Sequence, residues 1–120
     1  MASATTWFIV SFTIAEGKID AFEATVEKMV AGSLKEPGTL AYEFCLSADR
    51  TQCRLVEAYV DAAAVLAHLA GPVVQELVPQ VLQASAISGF EVYGDPGAEA
   101  AKLLEGFGAT VFPSWRGFSR

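Results

Sequence analysis

The stretch TWFIVSFTI, residues 6–14, constrains the fold more than any other part of this 120-residue chain. It alternates Phe8, Val10, Phe12 and Ile14 with Trp7, Ile9, Ser11 and Thr13, and it is rich in β-branched and aromatic residues, as strands are. Large apolar groups on both sides mean that this strand has to be covered on both faces.

The segments that follow set the order of elements. After the turn AEGK, Ile19, Phe22, Val26, Met29 and Val30 recur at intervals of three and four, with Glu23, Glu27 and Lys28 opposite. That pattern predicts an amphipathic helix ending near Gly32. The Pro-Gly pair of KEPGT opens a second strand, LAYEFCLS at 40–47, with Leu40, Tyr42, Phe44 and Leu46 on one face. Beyond the polar turn SADRTQ, the stretch CRLVEAYV at 53–60 alternates Leu55, Glu57 and Tyr59 with Arg54, Val56 and Ala58, so the two strands form a hairpin. Asp61 is placed to cap the helix AAAVLAHLA, which Gly71-Pro72 ends. VVQELVPQVL continues helically with a break at Pro79, and AISGFEVYG at 86–94 is the last strand.

Strand, helix, strand, strand, helix, strand is the order of a ferredoxin-like α+β unit, with helices on one face of an antiparallel sheet. The other face asks for a cover, and the same sheet from a second chain supplies one in a symmetric homodimer. Residues 1–95 are read as this domain and 96–120 as a C-terminal extension: a short helix, then Phe107, Phe112, Trp115 and Phe118 in a segment broken by Gly and Pro. Four such rings need apolar partners, on the domain or on its dimer mate.

Composition narrows the function classes. Net charge is −6 with a pI near 4.6, so a phosphate backbone is repelled and nucleic acid is not expected as a partner. No run reaches the roughly 20 apolar residues that a membrane helix needs, and MASATTW lacks the basic and apolar regions of a leader. A soluble cytoplasmic protein with no membrane partner is expected. Cys45 and Cys53 flank the hairpin turn, where a cross-strand disulfide is geometrically conceivable, but reduced thiols are the expectation in such a compartment. With only His68 beside them, they lack the paired spacing of a zinc site, and no metal is expected.

Two residues stand out as candidates for chemistry. Glu57 interrupts an apolar strand face, where a carboxylate costs free energy unless it is paired or lines a wet cavity. His68 is the only histidine, nine residues after Tyr59 and on the next helix, and it titrates near neutrality. If the hairpin register sets Tyr42 opposite Glu57, then Tyr42, Phe44, Leu55, Glu57 and Tyr59 share a face suited to a flat phenol. Structural readings stand beside these: His68 as a helix residue satisfying a carbonyl, Glu57 paired with Arg54 or Lys35, the tyrosines as core. Glu43 and Arg54 are expected to form an ion pair on the opposite face, and Trp115 with Arg116, Phe118 and Arg120 to form an arm that staples the dimer or closes the pocket.

EPGTLAYEF followed by LVEAYVDAAAVLAHLAGP resembles the antibiotic biosynthesis monooxygenase family: a Pro-Gly-led second strand with an aromatic, a Glu-x-aromatic third strand, and Ala-His on the following helix. The resemblance spans roughly residues 6–94. It implies a dimeric α/β barrel and oxygenase activity on quinols or polycyclic phenols without flavin, haem or metal. Haem-degrading relatives look to carry an Asn on strand one, a Trp on the second helix and an axial His further along. Val10 and His68 stand at the first two positions and GPVVQELVPQ holds no His, so haem degradation is not expected.

The expectation is a homodimeric, cofactor-independent monooxygenase that oxidises a small aromatic quinol or polyketide-like phenol with O2. His68 takes the phenolic proton, Glu57 orients it, and Tyr42, Tyr59, Phe44 and Trp115 hold the substrate. Alternatives are an isomerase or tautomerase using the same acid and base, and a non-catalytic, stress-associated dimer that binds a small ligand.

Overall fold

β1, Thr6–Ile14, is the middle strand of a five-stranded sheet in the computed structural model, which describes residues 4–120. Residues 1–3, the beginning of the stretch read as lacking a leader, lie outside the described residues. Around β1 the order is β2 (Thr39–Leu46), β3 (Gln52–Tyr59), β1, β4 (Ser85–Tyr93), β5 (Thr110–Phe112). The first four strands pair antiparallel, which is the ferredoxin-like arrangement, and β5 adds a parallel edge beside β4.

Phe8, Val10, Phe12 and Ile14 are all buried against the helices. α1 (Ile19–Leu34) and α2 (Ala62–Ala70) cover that inner face, and Asp61 Oδ1 caps α2 by accepting from the Ala64 N–H at 2.9 Å. A single π turn over Val73–Leu77 leads into the short α3 (Val78–Val81), and α4 (Ala98–Glu105) seats Ala100 and Leu104 in the core. On the outer face, Trp7 is partly exposed and Thr13 open in the single chain. Among the described residues no single helix is long and apolar enough to cross a membrane.

Several local expectations are corrected. α1 does not stop at Gly32 but runs through it, because a Cβ there would sit 2.7 Å from Val73 Cγ2; this glycine serves close packing rather than termination. Pro79 does not break a helix: it lies in the first turn of α3, where a missing N–H costs nothing. Leu40 leaves the face of Tyr42 because a bulge between Thr39 and Ala41 shifts the register of β2 on β3. After its helix the extension adds one short strand, β5, and residues 113–120 form neither helix nor strand.

Glu43 and Arg54 do not form an ion pair. The register sets Arg54 opposite Cys45, and its Nη1 donates to the Cys53 carbonyl. Cys45 is exposed on the outer face and Cys53 buried on the inner one, so strand parity keeps the thiols apart.

Candidate active site

The hairpin register does place Tyr42 opposite Glu57, and Glu57 opposite Phe8 on β1. These three residues form one row across the inner face. The last turn of α2 lowers His68 onto that row, with its side chain only 3% exposed. The His68 ring centroid lies 5.5 Å from that of Tyr42 and 5.2 Å from that of Tyr59.

The residue that orients His68 is Glu36, not Glu57. Nδ1 of His68 is 2.7 Å from Glu36 Oε1, and the same oxygen accepts from the Thr39 hydroxyl at 2.7 Å. A carboxylate on Nδ1 favours the tautomer with its proton there, which leaves the Nε2 lone pair directed away from Glu36. Nε2 lies 3.5 Å from Glu57 Oε1, within reach of a proton but not tightly bonded. Glu57 itself is held from below, because Tyr59 donates its hydroxyl to Oε1.

The local chain explains why Glu36 arrives. Gly38 carries the loop against the start of α2, where a Cβ would come 2.5 Å from Ala64 Cβ, and its carbonyl accepts from Val60 N–H at 2.9 Å. Only a residue without a side chain lets the loop approach so closely. Glu36, two residues earlier, then comes to lie beside His68.

Burial sets the protonation states. It pushes the Glu57 carboxyl up to about 8, with the Glu36 charge adding to the rise and the Tyr59 hydroxyl opposing it. Glu57 is therefore mainly a neutral acid at pH 7. Burial pushes His68 below its ordinary value, and the Glu36 hydrogen bond and charge pull it back. Tyr42 and Tyr59, raised first by burial and then by the Glu57 charge, stay protonated. The site thus sets a neutral acid and a neutral base side by side.

Both face a narrow cavity whose other walls are apolar, among them Phe8, Val10, Leu55, Ile87 and Phe90. Tyr42, Glu57 and His68 are its polar end. Tyr59 lies beneath that end, and Phe44 stands behind Tyr42 with ring centroids 5.6 Å apart. Trp115 does not join them: it is 78% exposed and lines an outer groove with Trp7 and Tyr93. Its Arg116 guanidinium stacks on the ring at 4.7 Å, so the indole is partnered without entering the core. Phe107 supplies the ring from the extension that does reach the cavity. Among the described residues no cluster of His, Cys, Asp and Glu has a geometry suited to a metal ion.

The sequence profile described as antibiotic biosynthesis monooxygenase matches residues 8–80, which hold most of β1, all of β2, β3, α1 and α2, and the whole polar end of the cavity. The chain belongs to the antibiotic biosynthesis monooxygenase family. Within the family's fold, the chain is similar to MupZ from Pseudomonas fluorescens, at 29% identity over 98% of this chain and 96% of that one, with a TM-score of 0.81. It is also similar to SnoaB, a cofactor-independent oxygenase from Streptomyces nogalater, at 16% identity over 80% of this chain and 97% of that one, TM-score 0.68. Protein SO0527 from Shewanella oneidensis matches at 28% identity over 75% and 87%, TM-score 0.63. No curated protein matches the chain.

Proposed function

We propose that this member of the family is a cofactor-independent monooxygenase acting on a small aromatic quinol or polyketide-like phenol. The observation that carries the reading is the Glu36–His68–Glu57 arrangement at the polar end of an apolar cavity. His68 Nε2 removes the proton of a phenol or its keto tautomer, and Glu36 stabilises the imidazolium that results. The electron-rich anion passes electrons to O2, and a carbon–oxygen bond forms as a substrate hydroperoxide that takes its proton from Glu57. Ionised Glu57 takes the remaining C–H proton as the O–O bond breaks, leaving a carbonyl on carbon, and the departing hydroxide takes the proton held by His68 and leaves as water, so both side chains return to their starting states. For an anthrone this balances as one O2 consumed, one quinone and one water formed. The buried tyrosine hydroxyls stay protonated, and Tyr42 lines the pocket as a donor to the substrate oxygen.

A second reading rests on one specific observation: the neutral acid and the neutral base both face the cavity, which is sufficient for isomerisation without oxygen. Oxygen consumption by the purified protein against hydroquinones, naphthoquinols and anthrones, in air and under argon, separates the two. The oxygenase predicts uptake above the spontaneous rate, one O2 per quinone, and no product under argon. Equal conversion under argon moves the assignment to the isomerase, and conversion in neither condition overturns turnover of these substrates.

The proposal includes a homodimer that covers the outer sheet face, where Trp7, Tyr93, Phe112 and the exposed Trp115 and Phe118 lie around one groove. Sedimentation equilibrium is expected to return twice the 12.7 kDa chain mass, and a monomer at micromolar concentration rules the dimer out.

A further inference from the structure

Four rings run in file across the inner face. Tyr59 and Phe8 have centroids 5.1 Å apart, Phe8 and Phe90 5.6 Å, and Phe90 and Phe107 6.2 Å. Tyr59 is on β3, Phe8 on β1 and Phe90 on β4, so the file crosses two strand spacings, about 10 Å, before it reaches Phe107. The polar end of the cavity lies at the β2–β3 side, with Tyr42 and Glu57; Phe107 lies at the other end.

Phe107 is held there firmly. It follows α4, whose Leu104 is fully buried, and its own N–H donates to the Leu104 carbonyl at 3.0 Å. Gly108 takes a positive φ of 77°, which turns the chain so that Ala109 N–H also returns to Leu104 O, and β5 then ties the segment to β4. Phe107 is the one cavity residue beyond the four-strand unit, and it lies outside the span matched by the family profile. MupZ matches 98% of this chain, whereas SnoaB and SO0527 match 80% and 75% while being covered over most of their own lengths. The far wall is therefore built from a part of this chain that the family profile does not reach.

We propose that Phe107 is a specificity-determining residue that sets the length of the substrate accepted, as the end wall facing the Tyr42, Glu57 and His68 end across the sheet. This rests on the reading that a phenol binds with its hydroxyl at the polar end. The ring touches no reacting atom, so it acts on which molecules fit rather than on proton transfer.

The probe is a series of 4-alkylphenols of increasing chain length, titrated by calorimetry into the protein and its Phe107→Ala and Phe107→Trp variants, each first checked for an unchanged circular dichroism spectrum. Each buried methylene adds about fourfold in affinity until the chain meets a wall. Phe107→Ala is expected to extend the rising range by about two carbons, which makes the longest members bind at least about tenfold tighter than they bind the parent protein. Phe107→Trp is expected to shorten it, and Trp115→Ala to leave it in place. A length optimum that stays put in both Phe107 variants overturns the proposal while leaving phenol binding intact. Binding of no member by any of the proteins overturns the phenol orientation itself, and the length rule with it.

Discussion

Replacing His68 by Ala is expected to lower turnover of the best quinol or anthrone at least about a hundredfold, the lower range for losing a positioned general base. That corresponds to about 2.7 kcal/mol of barrier. The argument rests on the free Nε2: no other base in the cavity is both neutral and unprotonated at pH 7, since Glu57 is mainly protonated and both tyrosines hold their protons. Glu36→Gln tests the positioning residue separately. It keeps a hydrogen-bond acceptor for Nδ1 but removes the charge that pulls the His68 pKa upward. The acid limb of kcat/KM, which reports the neutral His68, therefore moves to lower pH, and the plateau falls because a weaker base transfers the proton less readily. A merely structural Glu36 would change the yield of folded protein and leave the limb in place. His68→Ala retaining more than about a tenth of parental turnover, with an unaltered melting temperature, removes His68 from the mechanism.

The two halves of the site were not equally legible in the sequence. Strand parity alone puts Glu57 and Tyr59 on one face, Tyr42 joins them only through the hairpin register, and the nine-residue step lets His68 point back over them, its selection as a site residue resting mostly on the family resemblance. Glu36 is 32 residues from His68, and the contact depends on Gly38 packing against Ala64, a tertiary approach that no local pattern encodes. The available signal was a carboxylate just before the Pro-Gly turn with a hydroxyl three residues on, which is how Thr39 comes to bond it. Ile87 and Phe90 both line the cavity although an unbroken strand would point them to opposite faces. The register shift of β4 against β1 between Ser11 and Phe12 brings them together. Bulges are set by paired strands, so alternation misassigns residues beyond them, as it did at Leu40. The aromatic tail misled for a different reason: hydrophobicity says a ring needs a partner, not which ring faces which side. Phe107 went inward while Trp115 and Phe118 stayed out under their arginines.

Glu57 is expected to make the protein lose stability as pH rises, against a Glu57→Gln variant that does not. In the unfolded chain its carboxyl titrates near 4.5, and in the fold near 8. Between those values the native state holds a proton that the unfolded state has released, so each step up in pH favours unfolding. Below about pH 4.5 both states are protonated and the contribution is fully retained; above about pH 8 both are ionised and it is lost. The loss is on the order of 5 kcal/mol over the whole window, because one pKa unit is about 1.4 kcal/mol. Gln keeps the shape and an oxygen for the Tyr59 hydroxyl but carries no proton to lose. His68, whose native pKa is depressed, contributes the opposite slope below neutrality, but it does so in both proteins and largely cancels in the difference. Urea unfolding near pH 5, 7 and 9 should therefore show the two proteins close together at the acid end and the variant increasingly more stable toward the alkaline end. Parallel stability curves would mean that water reaches the carboxyl and that Glu57 is an ordinary carboxylate at neutral pH. It could not then protonate the hydroperoxide, and His68 would have to return the proton it had taken.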